Sequence, residues 1–274
     1  MRAKSASLFI LLGILALSPI ASQVVLAIDL QPNDIVAPPP NITSATLTYY
    51  STQNTNYYSN GTRLTNGPYA NPIINTNSAI FRLSTTYTVA NFPGVSYAQL
   101  PYGTTSQAGS LSSYPASTGI GDAVLATAVW PYANHQTRTY FGMAAYLSLP
   151  TGTYKSDQAF NYGQNRYQSD IQMGYQAPII GKIDGALAVD TLFYGGNSQC
   201  AAACLSRTNV ALNQKPLTTT QVGPIYNINQ IFTIAATYLY VAGGAQSINN
   251  VYQNNVINTQ RYLLSAVVRT EYGR

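Results

Sequence analysis

The stretch 119–154, GIGDAVLATAVWPYANHQTRTYFGMAAYLSLPTGTY, decides how this chain is read. Two apolar-rich runs, Gly119–Tyr132 and Thr139–Pro150, flank a short polar turn, Ala133–Arg138. In the second run Phe141, Met143, Ala145, Leu147 and Leu149 share one parity, while Tyr140, Gly142, Ala144, Tyr146 and Ser148 share the other. A period of two, with small and hydroxylated residues on the second side, predicts strands that are greasy on one face.

The same unit recurs along the chain. Alternation predicts strands over Ile42–Asn54, Ser78–Val89, Val95–Tyr102, Arg166–Ala177, Lys182–Tyr194, Leu217–Tyr226, Ile231–Ala242 and Gln260–Tyr272, which with the opening pair make ten. Their connections alternate in length. Those at 90–94, 133–138, 178–181 and 227–230 are tight, whereas 55–77, 103–118, 151–165, 195–216 and 243–259 are long. A soluble sandwich has no reason to gather every long loop at one end. An outer-membrane barrel does, with short periplasmic turns and long external loops.

Composition points the same way. Only 8% of the 274 residues are charged, and Tyr occurs 23 times. Soluble domains carry about 25% charge, whereas a barrel solvated by lipid needs little and uses aromatic residues at the two water–lipid boundaries. The charges that do fall in strands keep to one parity: Arg166 with Asp170, Lys182 with Asp184 and Asp190, and Arg261 with Arg269 and Glu271. An Arg or Lys facing lipid at mid-bilayer costs ~2–4 kcal/mol, so the face without charge is the lipid face. A twelve-residue strand is ~40 Å long, and a ~45° tilt leaves ~28 Å of height, close to the ~25 Å apolar band.

Residues 1–27 read as a signal peptide. Arg2 and Lys4 form its basic start, Leu8–Leu17 its apolar core, and Val25-Leu26-Ala27 a small-residue cleavage site. That core is too short for a membrane helix and Pro19 interrupts its end. Removing the two basic residues lowers the formal charge from +5 to +3, and no basic cluster remains to hold nucleic acid. Residues 28–41 (IDLQPNDIVAPPPN) carry four prolines without periodicity and predict an extended periplasmic lead-in ahead of a barrel over 42–274.

Few side chains invite chemistry. The single histidine, His135, lies in a short turn without a nucleophile beside it and reads as a solvated turn residue, so no catalytic residue is assigned. Metal binding needs more His or Cys ligands than the chain supplies, and no cofactor is implied. Cys200 and Cys204 bracket three alanines in a long loop; in an oxidising compartment they predict a loop-tying disulfide, the alternative being two free thiols. The candidates for lining a solute path are Arg82, Asp122, Arg166, Asp170, Lys182, Asp184, Asp190, Arg261, Arg269 and Glu271. Their mixed signs suit a weakly polarised constriction, or internal pairs that brace the barrel, better than a strongly ion-selective filter.

Several motifs taken in order resemble a known family. These are Asn33-Asp34-Ile35-Val36-Ala37-Pro38-Pro39-Pro40, Tyr49-Tyr50, Tyr57-Tyr58-Ser59-Asn60-Gly61, Gly119-Ile120-Gly121-Asp122, Leu147-Ser148-Leu149-Pro150-Thr151-Gly152-Thr153-Tyr154 and Thr259-Gln260-Arg261-Tyr262. Together they are similar to the outer-membrane transporter family named for the meta pathway of phenol degradation, across essentially the whole mature chain. The resemblance implies a β-barrel that admits small, often aromatic or apolar, molecules. Members usually continue for another hairpin and end on a terminal aromatic, whereas this chain stops at Tyr272-Gly273-Arg274. The expected fold is therefore all-β: a transmembrane antiparallel up-and-down barrel with ten strands visible, or twelve if a C-terminal hairpin is missing. Such a ring has a backbone diameter of about 20–24 Å and a bore of about 10 Å. The expected function is passive passage of small organic solutes across a bacterial outer membrane. The expected partners are those solutes and outer-membrane lipid. A surface adhesive barrel with a closed lumen and a secreted soluble β-protein are the alternatives.

Overall fold

The computed structural model describes residues 30–59, 62–229 and 232–268. Ten wall strands follow one another in sequence order: β1 (Thr43–Asn54), β2 (Pro72–Val89), β3 (Phe92–Gly109), β4 (Ala123–Asn134), β5 (Thr139–Leu149), β6 (Gln168–Ile180), β7 (Ile183–Tyr194), β8 (Leu217–Asn227), β9 (Phe232–Gly243) and β10 (Ile257–Val268). Each pairs antiparallel with its chain neighbours, giving an up-and-down meander. Among the described residues β1 and β10 pair on one side only, so the curved wall has one unjoined seam. The signal-peptide stretch and residues 269–274, with Arg269 and Glu271, lie outside the described residues.

The ten expected strands are all present, though two run further than the apolar pattern. β2 starts at Pro72 and β3 ends at Gly109, each 18 residues long. Over 75–77 and 103–109 they carry Asn, Thr, Ser, Gln and Gly instead of large apolar residues, which suits strands rising above a bilayer. Short turns close the opposite end. Ala90 (φ 48°) and Asn91 (φ 67°) make a two-residue turn between the paired Val89 and Phe92, the left-handed pair that matches strand twist. Gly181 (φ 53°) and Lys182 make a second two-residue turn between Ile180 and Ile183, with Gly181 in the left-handed region.

The wall is inverted relative to a soluble protein. Large apolar side chains face outward and are exposed, among them Phe81, Leu83, Leu125, Ile171, Met173, Leu187, Ile234 and Leu264. The inner face buries Thr76, Ser78, Ser148, Gln168, Gln172, Gln176, Thr219, Gln221 and Thr233. Every charge within the ten described strands lies on the inner parity. Arg82 pairs with Gln99 across β2 and β3, and Arg261 pairs with the buried Leu239 across β10 and β9. Asp170, Asp184 and Asp190 are buried on β6 and β7.

Residues 30–41 do not run extended outside the wall. They fold into two turns, with Asp34 N–H donating to Gln31 O and Val36 N–H to Asn33 O, and they lie against the inner face at the short-turn end. Ile35 and Ala37 are buried with Trp130 and Tyr140. Prolines do keep the segment out of the ladder, as the sequence implies, but its apolar residues find the lumen instead of water.

Candidate functional site

The long-loop end carries ordered loops that the sequence leaves unstructured. Residues 150–167 fold inward. Tyr162 is fully buried and donates its hydroxyl to Ser78 Oγ on the inner face of β2 (2.7 Å). Phe160 packs with Ile74 and Leu111. Asp122 fixes this loop: Gly152 N–H donates to Oδ1 and Gln164 N–H to Oδ2, both at 2.8 Å. Gly152 and Gly163 touch backbone to backbone, since a methyl group added to either would lie under 3 Å from the other. The Gly-Ile-Gly-Asp motif therefore anchors a loop. Asp122, with both oxygens occupied and no exposed surface, is a loop anchor and not a group presented to a solute. Burial raises its pKa despite those two amide donors and the nearby Arg166.

Arg166 precedes β6 instead of opening it, and it too belongs to this cap. Its Nη2 donates to Gln214 Oε1 (2.8 Å) and its guanidinium lies 4.4 Å over the Tyr194 ring. Burial pushes its pKa down to about 10, which leaves it cationic at neutral pH. Beside it, residues from two long loops form a small sheet: Asn197–Cys200, Val210–Gln214, Gln246–Ile248 and Val251–Tyr252. Cys200 and Cys204 are disulfide-bonded there, with Cα atoms 5.5 Å apart, and pack with Ala203 and Leu212.

Against the segment 30–41, on the inner face of β1–β6, lies an open chamber of about 440 Å³. Leu30, Gln31, Asp34 and Ile35 form its floor. Its wall mixes Arg82, Gln99 and Gln172 with Tyr50, Tyr97, Tyr146, Trp130, Ile80, Val95 and Val124. Arg82 is braced: Nε and Nη2 both donate to Gln99 Oε1 (3.0 and 2.8 Å), and its guanidinium lies 4.3 Å over Tyr97. Tyr146 donates to Gln172 Oε1 (2.9 Å) and meets Tyr97 edge-on at 6.4 Å. A solute here meets aromatic faces and amide groups in alternation, with one cation and one carboxylate in the lining. That arrangement offers many weak contacts and no reactive constellation.

The expected lumen charges separate into groups. Only Arg82 lines the chamber. Asp170 and Asp190 sit buried on β6 and β7 outside its lining, whereas Arg261 on β10 is exposed. Asp184 belongs to the short-turn end, where it pairs with Arg138 (3.2 Å) and accepts from Gln176 and Asn227. Lys182 is not in the wall. It occupies the exposed hairpin turn, and its Nζ donates to Ile228 O (2.7 Å), because the strand parity of β7 does not extend through a two-residue turn. His135 also stays in its turn, 3.1 Å from the Tyr140 hydroxyl. The sequence reading misses Tyr97, Gln99, Trp130, Tyr146 and Gln172; the signal they gave was an aromatic or amide residue on an inner parity.

A family model described as "Putative MetA-pathway of phenol degradation" matches residues 47–261. In fold the structure is similar to an outer membrane channel from Pseudomonas putida F1, known from its crystal structure. The TM-score is 0.77 and the identity 24%, over 86% of this chain and 85% of that one. No curated protein matches the chain.

Proposed function

The chain belongs to the family described as "Putative MetA-pathway of phenol degradation", and from that premise we propose that it is an outer-membrane β-barrel channel for passive passage of small organic solutes. The single observation that carries this reading is the inverted wall: apolar side chains outward, every described strand charge inward, and a chamber between. Facing water, such an exterior would be an aggregation surface. Facing lipid, it is what a spanning wall requires. The short-turn end is then periplasmic and the disulfide-tied sheet external. The expected signal peptide cleaved near Ala27 supports the route to that membrane.

The channel works by lowering a permeability barrier. Solutes enter through the cap, rest weakly in the chamber and leave past residues 30–41, with no bond made or broken. Small aromatic or apolar molecules bearing one polar group suit the Tyr and Gln lining. Lipid offers no partner to the free amides along the seam, so this reading requires the β1 and β10 edges to be joined in the membrane, directly or through added strands.

Purified protein in planar bilayers tests the reading. Discrete KCl conductance, with solute influx into liposomes, is expected; a folded, heat-modifiable barrel that passes neither overturns it. The ordered external sheet favours a second reading, a surface adhesive barrel with a closed lumen, and that same outcome selects it. Recovery without detergent in the soluble periplasmic fraction would point to a secreted β-protein.

A further inference from the structure

We propose that Arg82 is the selectivity anchor of the chamber and that the solute it selects is a small aromatic carboxylate, its ring against Tyr97 and Tyr146 and its carboxylate on the free edge of the guanidinium. The inference rests on the channel reading above and narrows its solute class.

The barrel treats its arginines differently. Arg138, at the short-turn end, is paired with Asp184 (3.2 Å), and Arg166, in the cap, lies near Asp122. Arg82 forms no ion pair among the described residues. Its brace is neutral instead. Gln99 Oε1 accepts from both Nε and Nη2, and the Tyr97 ring lies under the guanidinium at 4.3 Å. These contacts fix the plane of the group and leave Nη1 without a hydrogen bond to the described residues. The side chain is half-buried and lines the chamber. A structural arginine in this wall is met by a carboxylate; Arg82 keeps its charge for what passes. The end formed by Nη1 and the second hydrogen of Nη2 is the parallel fork that fits a carboxylate.

Beside that fork stands an aromatic wall. Tyr97 meets Tyr146 edge-on at 6.4 Å, and Tyr146 is held by its bond to Gln172 Oε1 (2.9 Å). Ile80, Val95 and Val124 line the chamber with them. At about 440 Å³ the chamber has the size of an ordinary small-molecule site. A neutral aromatic gains the ring contacts alone, and an aliphatic acid gains the fork alone. An aromatic acid gains both. The carboxylate of the lining, Asp34, belongs to the floor and accepts from Gln31 N–H (2.8 Å), which makes an organic ammonium the competing solute and the natural control.

The test uses the full chain in planar bilayers, with KCl on one side and potassium benzoate, potassium acetate or benzylammonium chloride on the other. Reversal potentials then give relative permeabilities. Benzoate should be more permeant than acetate in spite of its size. Arg82→Gln should lower the permeability of benzoate relative to potassium about tenfold, as expected for a lost hydrogen bond to a charged group. Tyr97→Leu should bring benzoate down to acetate. Heat-modifiable mobility checks that each variant is folded; if Arg82→Gln is not, the benzoate-to-acetate ratio of the parent decides. Benzoate no more permeant than acetate in the parent, benzylammonium preferred to benzoate, or an unchanged benzoate-to-potassium ratio in folded Arg82→Gln overturns the inference and leaves the channel standing. Absence of conductance in every form, parent included, overturns the channel and the inference together.

Discussion

Replacing Met173 by lysine puts a charge on the outward face near the middle of β6, on a side chain 45% exposed to what surrounds the wall. Replacing its neighbour Gln172 puts the same charge on the inward face, at a side chain 4% exposed that lines the chamber. If the outer face meets lipid, Met173→Lys costs ~2–4 kcal/mol, the measured range for Lys near a bilayer midplane. That is a loss of about 30- to 700-fold in the folding equilibrium. In water the same change at an exposed site would fall within about 0.5 kcal/mol. Gln172→Lys instead adds a cation next to Asp190, its register partner on β7, and should change ion selectivity more than stability. Urea titration of protein folded into liposomes, read by Trp130 emission and heat-modifiable mobility, measures both variants in one assay. Met173→Lys as stable as the parent, with Gln172→Lys the more damaged, would refute the assignment of faces and with it the channel.

Other expectations follow from the cap. Gly163→Ala should cost about 1–3 kcal/mol through overpacking, because its methyl would lie 2.6 Å from the Gly152 backbone; the loop at 150–167 should then be cleaved faster by added protease. Reducing Cys200–Cys204 opens a ring with a sequence separation of only 4. The chain-entropy relation gives it ~2 kcal/mol, so reduction should loosen the external sheet to proteolysis while leaving the barrel's urea midpoint unchanged. Burial raises the Asp122 pKa, so the folded state takes up its proton before the unfolded chain does as pH falls. Stability from this group therefore grows on acidification through its folded pKa. The midpoint of the parent should rise relative to Asp122→Asn between pH 7 and pH 4, and a pH-independent difference would contradict the burial argument.

What the sequence made legible is what a short window can see. From Gln168 to Gln176 every second residue is polar or glycine and every other one apolar or small, and β6 lies there with its faces as read. Charges on inner parities were equally visible. Lys182 shows the limit of that reasoning, since a turn resets the parity that a strand maintains. The segment 30–41 shows a deeper one. Its prolines exclude a ladder, but its partners Trp130, Gln176, Gln221 and Asn227 are 95 to 194 residues away, so no local period reports them. A trace did exist in Gly142 and Gly174, two glycines interrupting the inner parity of adjacent strands. The external sheet escaped for the same reason as the segment: Val210–Gln214 finds Gln246–Ile248 across an intervening hairpin of the wall.

The unjoined seam has a kinetic consequence. Every other neighbouring pair in the wall is made between consecutive strands, so the meander can grow by zipping one hairpin onto the last. Uniting the margins directly would bring together stretches about 200 residues apart, a separation as great as any among the described residues, and contacts of that kind are slow to form. Ring closure is then the final act of biogenesis, and until it happens both margins are templates for stray strands. A cell making this protein has most to fear from delay at that last step.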